Sequence, residues 1–121
     1  MGITFQVEQR ALYAVVRVDG EPTLDEFLGF VVQMGVESKG WGQDRGMIDL
    51  RGVRSLHLFT EHYAVGEAVG RHLGHMRRIA SVVPGDRLSR ASEKTAQHAG
   101  VNLMVFTSEG EAMQWLSADK P

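Results

Sequence analysis

The sequence contains no cysteine among its 121 residues. This absence excludes a disulfide framework, thiol catalysis and any cysteine-ligated zinc or iron–sulfur site. It also fits a reducing compartment, so we predict a cytoplasmic protein. Excess charge is missing too, because the formal net charge is −2 and the isoelectric point is about 6.2, which argues against nucleic-acid binding. No apolar run approaches the ~20 residues of a membrane span, and residues 1–10 lack the pattern of a signal peptide.

The residues that are present have the composition of an ordinary folded domain. Hydrophobic residues make up 43% and charged residues 23% of the chain, close to the average for globular proteins. The length suits one domain, so we predict a single domain over residues 1–121. No GxSxG, P-loop or GxGxxG motif occurs. We therefore predict a protein that is not an enzyme and that uses no cofactor and no metal.

Strand and helix signals alternate along the chain. Residues 3–7 and 12–18 have the pattern of an antiparallel hairpin. Thr23 and Glu26 form the capping box of a first helix that reaches about Ser38. The segments that follow are a strand at 46–50, a helix at 60–76, a strand at 79–83, a helix at 88–99 ended by Gly100, a strand at 102–106, and a last helix opened by a second capping box of Ser108 and Glu111. This ββαβαβαβα order predicts an α/β fold with a mixed, mostly parallel sheet covered by helices.

The first helix carries more apolar residues than one contact with a sheet requires. Phe30, Val32 and Val36 widen its apolar face to roughly 240°. Some of these side chains could simply be exposed, or the helix could make a second apolar contact, at a subunit interface or over a ligand cavity. The candidate residues for a dimer surface or apolar ligand site are Phe27, Phe30, Val31, Met34, His62 and Val69.

The second predicted helix has glycines and histidines that require an explanation. Gly66, Gly70 and Gly74 recur every four residues, and we favour close helix packing over a ligand role. His72 and His75 could share one face of the helix, and we favour an electrostatic role at the helix end over a metal site. We interpret His62, on the apolar side, as a core or interface residue, with the mouth of a cavity as the alternative.

An anion or phosphoacceptor site is the remaining polar candidate. Asp49 ends a predicted central strand, and Arg51, Ser55 and Thr60 follow it. A loop of this kind before a helix N-terminus suits a phosphate or phosphoryl group. The alternative, which we favour, is that Asp49 accepts hydrogen bonds from the loop backbone and that Thr60 only caps the helix.

Two segments of the sequence carry a resemblance. The element order, the segment Met-Ile-Asp-Leu-Arg-Gly-Val at 47–53 and the ending Glu-Ala-Met-Gln-Trp-Leu at 111–116 resemble the SpoIIAA-like family. That family belongs to the STAS superfamily of sulfate-transporter and anti-sigma-factor-antagonist domains and is distantly related in fold to CRAL-TRIO lipid-binding domains. The resemblance covers essentially the whole chain.

The resemblance implies a STAS-like fold and a non-enzymatic regulatory or binding module. Such a module would act through contacts with an unknown protein partner and as a homodimer. The alternative is a carrier or sensor of a small apolar or lipid-like ligand. In anti-sigma-factor antagonists a phosphorylated serine follows an aspartate, whereas this chain has Leu58-Phe59-Thr60 in that region. Thr60 and Ser55 are the nearest hydroxyls, so the sequence departs from the phosphorylation motif.

Overall fold

The computed structural model describes residues 2–54, 62–85 and 91–118. These residues form the predicted order of five strands and four helices. The elements are β1 (Ile3–Gln9), β2 (Ala14–Gly20), α1 (Leu24–Glu37), β3 (Arg45–Val53), α2 (His62–His72), β4 (Arg78–Val82), α3 (Ala91–His98), β5 (Leu103–Phe106) and α4 (Glu109–Ser117), with a 3₁₀ turn (Ser38–Gly40) after α1. None of the helices within these residues has the length and apolarity needed to cross a membrane.

The five strands form one sheet in the order β1-β2-β3-β4-β5. The β1–β2 hairpin is antiparallel, and the other three strand pairs are parallel. This arrangement confirms the predicted mixed, mostly parallel sheet. These pairs are parallel because a helix between successive strands returns the chain to the end of the sheet where the previous strand began.

β3 is longer than predicted, and this changes the position of Asp49. We predicted a strand at 46–50 and a loop from Arg51, but the strand continues to Val53, so Asp49 lies inside it and not at its end. The extension pairs with β2 after a register shift, where Asp19 is opposite Gly52. The ladder partner comes from a distant segment, so the local pattern could not show it.

α2 ends earlier than predicted. The helix stops at His72, and the turn that follows closes with a hydrogen bond from the Met76 N–H to the Leu73 carbonyl. The prediction that His72 and His75 share a helix face is therefore wrong, because His75 lies beyond the helix. The predicted start of α2 at Thr60 lies outside the described residues.

The predicted helix caps are present, although only one of the two predicted capping boxes is complete. Thr23 Oγ1 accepts the Glu26 N–H at 3.2 Å while the Glu26 carboxylate accepts the Thr23 N–H at 2.8 Å, which completes the predicted capping box. Ser108 Oγ accepts the Glu111 N–H at the start of α4, so Ser108 is the N-cap, but the Glu111 carboxylate does not return the second bond of the predicted capping box. Gly100 follows α3 with a φ of 93°, as expected for a glycine just past a helix end.

The two faces of the sheet are covered differently. α1, α2 and α3 cover one face, over a large apolar core that we call the main core. Its buried members include Val16, Phe27, Phe30, Val31, Met34, Leu50, Val53, Val69, Ile79 and Val105. α4 covers the other face over a smaller set that we call the α4 cluster: Tyr13, Val15, Met47, Ala80, Val82, Ala112 and Leu116.

Close helix packing explains one glycine of the predicted stripe. A Cβ on Gly70 would overlap the Cβ of Ala99, just after α3. Gly74 lies beyond α2, and a Cβ there would meet nothing nearer than the Gly70 carbonyl oxygen at 3.4 Å. A further close approach was not predicted: a Cβ on Gly35 would lie 2.7 Å from the His72 carbonyl oxygen, so the backbones of α1 and α2 approach each other closely at this point.

Candidate functional site

Four charged side chains meet on the α4 face of the sheet, and we call them the charged cluster: Arg17, Asp49, Arg51 and Glu109. Arg17 of β2 and Asp49 of β3 are register partners in a parallel pair, so their side chains lie side by side. Arg51 is two residues beyond Asp49 and therefore on the same face of β3. Glu109 is the first residue of α4, which brings the helix N-terminus to the two strands.

Asp49 is bound by both arginines. Its Oδ2 accepts hydrogen bonds from Arg17 Nη1 at 2.9 Å and Arg51 Nη2 at 2.8 Å. Its Oδ1 accepts from Arg51 Nε at 2.8 Å and from the Arg51 backbone N–H at 3.1 Å. Burial raises the pKa of Asp49, but the hydrogen bonds from Arg51 and Arg17 outweigh it, so the pKa is lowered from its usual value.

Glu109 is held by the same two arginines from the other side. Arg17 forms a two-pronged contact, with Nη1 3.1 Å from Oε1 and Nη2 3.2 Å from Oε2. Arg51 Nη2 lies 2.6 Å from Oε1. The hydrogen bonds from Arg17 are the largest cause of a lowered pKa at Glu109. Charge-assisted bonds of this kind are among the stronger contacts in proteins, so the cluster fastens the start of α4 to the sheet.

Both carboxylates of the charged cluster are ionised and paired. At neutral pH, neither Asp49 nor Glu109 has a proton to donate, and their oxygens already accept the arginine hydrogen bonds. The two guanidinium groups are also held in their protonated form, because contacts with the carboxylates raise the pKa of both Arg17 and Arg51. The chemistry of this arrangement is therefore that of an electrostatic clamp between strands and helix.

The structure describes Asp49 of the predicted anion site but not its two hydroxyl residues. Asp49 accepts the backbone N–H of Arg51, but Arg51 lies within β3 and not in the loop whose backbone the favoured interpretation expected Asp49 to bind. Ser55 and Thr60 lie outside the described residues, so their role as phosphoacceptor or anion site stays a prediction. Within the described part of the chain, no three His, Asp or Glu side chains are placed to hold a metal ion.

Sequence reasoning missed Arg17 and Glu109. They are separated by 92 positions, so no spacing rule connects them. A weak signal was present in each case. Arg17 is the one charged residue inside the apolar run 14–18, and Glu109 directly follows the N-cap Ser108, where a carboxylate is stabilised by the helix dipole.

A second pair of arginines holds the other end of α4. Buried Arg78 of β4 donates from Nη1 to the carbonyl oxygens of Trp115 at 2.7 Å and Ala118 at 2.8 Å. Arg45 of β3 donates from Nη1 to the Leu116 carbonyl at 2.6 Å. The last carbonyls of a helix carry its negative end, which cations stabilise. The helix is thus clamped by arginines at both ends.

The apolar residues predicted for a dimer or ligand surface are brought together, but inside the protein. Phe27, Phe30, Val31, Met34 and Val69 all belong to the main core. Phe30 is only 4% exposed because Phe5 of β1 covers it, with ring centroids 5.4 Å apart. The exposed apolar side chains of α1 are Val32 and Val36, at 42% and 70%. Of the predicted surface, His62 begins α2, and its side chain lies outside the described residues.

His75, which lies beyond the end of α2, makes a contact that was not predicted. His75 Nε2 lies 2.7 Å from Ser38 Oγ in the 3₁₀ turn after α1. Ser38 is buried, and its hydroxyl also lies within hydrogen-bond distance of the Gly35 carbonyl. The contact joins the ends of α1 and α2, so the role of His75 is to connect two helices and not to cap its own.

Comparisons with known proteins agree with this architecture. The structure is similar to a crystal structure of an anti-sigma factor antagonist from Mycobacterium paratuberculosis, with 18% identity, a TM-score of 0.64, and coverage of 97% of this chain and 96% of that chain. It is also similar to an uncharacterised protein with a SpoIIAA-like fold from Shewanella loihica PV-4, with 20% identity, a TM-score of 0.59, and coverage of 95% and 93%. No curated protein matches the sequence. A family model described as SpoIIAA-like matches residues 13–117, and the chain therefore belongs to the SpoIIAA-like family.

Proposed function

We propose that this protein is a non-enzymatic regulatory module that acts by binding another protein. Membership of the SpoIIAA-like family and a fold shared with an anti-sigma factor antagonist support this proposal. We propose in addition that it acts in the cytoplasm and as a homodimer. Fold alone does not define function, so the proposal depends on the surface that the chain presents.

The observation that carries the proposal is an exposed apolar stripe on α1, which we call the α1 stripe: Gly29, Val32 and Val36. The spacing of three and four residues places them in one line along the helix. A Cβ on Gly29 would meet nothing within 4 Å, so a partner could approach the backbone closely there. The opposite side of α1 is anchored in the main core, which makes the stripe a rigid platform.

The partner that fits the α1 stripe is a protein with an apolar patch flanked by basic side chains. Val32 and Val36 would contribute the apolar contact, which is the main source of affinity in a small interface. Asp25, Glu26 and Glu37 are exposed on the same helix. Acidic residues around an apolar centre favour a basic rim on the partner, chiefly through the rate of association.

The charged cluster supports a binding role over a catalytic one. Asp49 and Glu109 are held ionised by arginines, whereas a general acid or base needs a pKa close to the working pH. Their hydrogen bonds with the arginines position α4 on the sheet. The cluster therefore serves the fold that presents the binding surface.

Affinity capture from the native host tests the proposal. The tagged wild-type protein should retain a partner that Val36→Glu loses, because a carboxylate at this end of the stripe would replace an apolar contact and be desolvated in the interface. Leu12→Glu is the matched control, since Leu12 is also an exposed apolar residue, at 52%, but lies in the β1–β2 turn and not on α1. A partner retained equally by Val36→Glu, or lost equally by both variants, would contradict the proposal.

The alternative prediction, a carrier of a small apolar ligand, has a separate test. Its predicted lining residues meet in the main core, so a ligand would have to occupy space between α1, α2 and the sheet. Native mass spectrometry of protein purified under mild conditions should then show a copurifying apolar molecule. A mass equal to that of the bare chain removes this alternative and leaves the regulatory proposal unaffected.

A further inference from the structure

β1 is an edge strand whose outer side offers an unusually regular template. It occupies one end of the sheet order and pairs with β2 over seven residues without a register shift. The strand contains no proline and no lysine. Proline, lysine and β-bulges are the common features that keep an edge strand from pairing with another chain. At the opposite end of the sheet, β5 has only four residues, so β1 is the longer template.

The hydrogen-bonding pattern shows which backbone groups face outward. The Arg10 N–H donates to the Tyr13 carbonyl, so these two residues form a hydrogen-bonded pair beside the turn. Antiparallel pairs alternate between hydrogen-bonded and non-hydrogen-bonded. Thr4, Gln6 and Glu8 therefore direct their backbone groups towards β2. The residues that direct them away from the sheet are Ile3, Phe5, Val7 and Gln9.

We propose that two copies of this chain associate through β1, in antiparallel register with Gln6 on the two-fold axis. In this register Phe5 lies opposite Val7 of the second copy, and Ile3 lies opposite Gln9 of the second copy. Each of these pairs joins residues whose backbone groups face outward, which allows about eight hydrogen bonds across the interface. The two five-stranded sheets become one continuous sheet, with a shared edge roughly 24 Å long.

The side chains of β1 are self-complementary in the same register. Ile3, Phe5 and Val7 are half-buried against the main core. Their remaining exposed surface is covered in the dimer by Gln9, Val7 and Phe5 of the second copy, respectively. An aromatic side chain opposite a β-branched one is a favourable cross-strand pair. The second copy is thus an apolar partner for the half of each side chain that the fold leaves open.

Charge on the other face of β1 does not oppose this pairing. Glu8 is the only charged residue of the strand, and it lies opposite Thr4 of the second copy. Within its own chain Glu8 already contacts Arg10 at 2.9 Å and Arg17 at 3.3 Å. The axis residue Gln6 meets an identical amide, which can both donate and accept a hydrogen bond.

The inference rests on the proposed function for its premise that the chain acts through protein contacts. It uses a different surface from the α1 stripe. Val36→Glu should therefore abolish capture of the regulatory partner and leave self-association unchanged, so the two can fail separately.

Two variants on the same face of β1 test the register. Gln6→Glu should weaken the dimer, because the carboxylates of the two copies face each other on the axis. Thr4→Lys should strengthen it, because the ammonium faces Glu8 of the second copy. Both suit the isolated chain, since Gln6 is the register partner of Arg17 and Thr4 that of Asp19. Thermal unfolding at low concentration checks that each variant remains folded.

Sedimentation equilibrium measures the outcome. We expect the dissociation constant of the dimer to rise about two- to fivefold for Gln6→Glu and to fall by a similar factor for Thr4→Lys, from the strength of cross-strand charge pairs. Hydrogen exchange should also slow at the Phe5 and Val7 amides as the protein concentration rises. A wild-type monomer at millimolar concentration, or a dimer that both variants shift in the same direction, would overturn the proposal.

Discussion

The two faces of the sheet are held by different forces. The main core, under α1, α2 and α3, is a continuous apolar cluster in which Phe30 contacts both Phe5 and Phe27. The α4 cluster is much smaller, and charged residues surround it at both ends of the helix. A nine-residue helix such as α4 is marginal on its own. The difference shows that directional ionic contacts can fix a helix where the buried apolar area is small.

The arginines on the α4 face also match the polarity of the helix. Glu109 at the first position faces Arg17 and Arg51, and a carboxylate is favourable at the positive N-terminus. Arg78 and Arg45 bind carbonyls at the negative C-terminus. The orientation of α4 on the sheet is therefore specified by charge as well as by the apolar residues beneath it.

The largest expected effect comes from a cavity in the main core. Phe30→Ala removes a buried ring and should lower the free energy of unfolding by about 3–5 kcal/mol. Leu116→Ala, at a fully buried position under α4, should cost about 2–3 kcal/mol, because the short helix can move to fill the space. Chemical denaturation of both variants measures the contrast. A greater loss for Leu116→Ala would reverse the comparison between the faces.

A smaller effect is expected at the C-terminal clamp of α4. Arg78→Met should cost about 1.5–3 kcal/mol, the range for lost hydrogen bonds to a charged group, because Arg78 is 1% exposed and binds two carbonyls. Arg45→Met is the matched control and should cost about 1 kcal/mol, since Arg45 is only half-buried. Denaturation curves together with hydrogen exchange in α4 distinguish the two. Equal losses would show that burial does not set the strength of this clamp.

The smallest effect is the pH dependence of the charged cluster. The folded-state pKa values of Asp49 and Glu109 are lowered, so their stabilising contribution is present above the unfolded-state values of about 3.9 and 4.3. It is lost as the pH falls through the folded-state values. Glu109→Gln should therefore reduce stability at pH 7 by up to about 1 kcal/mol and flatten the decline in stability below about pH 4.

Glu111→Gln is the control for that measurement. Glu111 lies in the same first turn of α4 but is exposed and outside the charged cluster. Thermal unfolding between pH 3 and pH 7 should give nearly the wild-type slope for this variant. If Glu111→Gln and Glu109→Gln flatten the profile equally, the effect belongs to the helix dipole and not to the arginine clamp.

Local signals in the sequence were reliable, whereas statements about exposure were not. The capping box of Thr23 and Glu26 and the terminal Gly100 were correct, because each depends on residues within one helical turn. The helical periodicity of α1 identified an apolar face but could not show that Phe5 covers Phe30. It also could not separate Phe30 from Val36, which is exposed. Burial depends on what the rest of the chain places against a side chain.

The element order and the α/β class follow from periodicity and short-range signals, and the segments at 47–53 and 111–116 carry the resemblance to the SpoIIAA-like family. The place where the charged residues meet depends instead on how distant segments pack together. Arg17 and Glu109 are 92 positions apart, and β3 extends to Val53 because β2 offers it a ladder partner. The same holds for the edge of β1, whose outward side exists only once the hairpin has joined the sheet. Contacts between distant segments are created by folding, and no local pattern contains them.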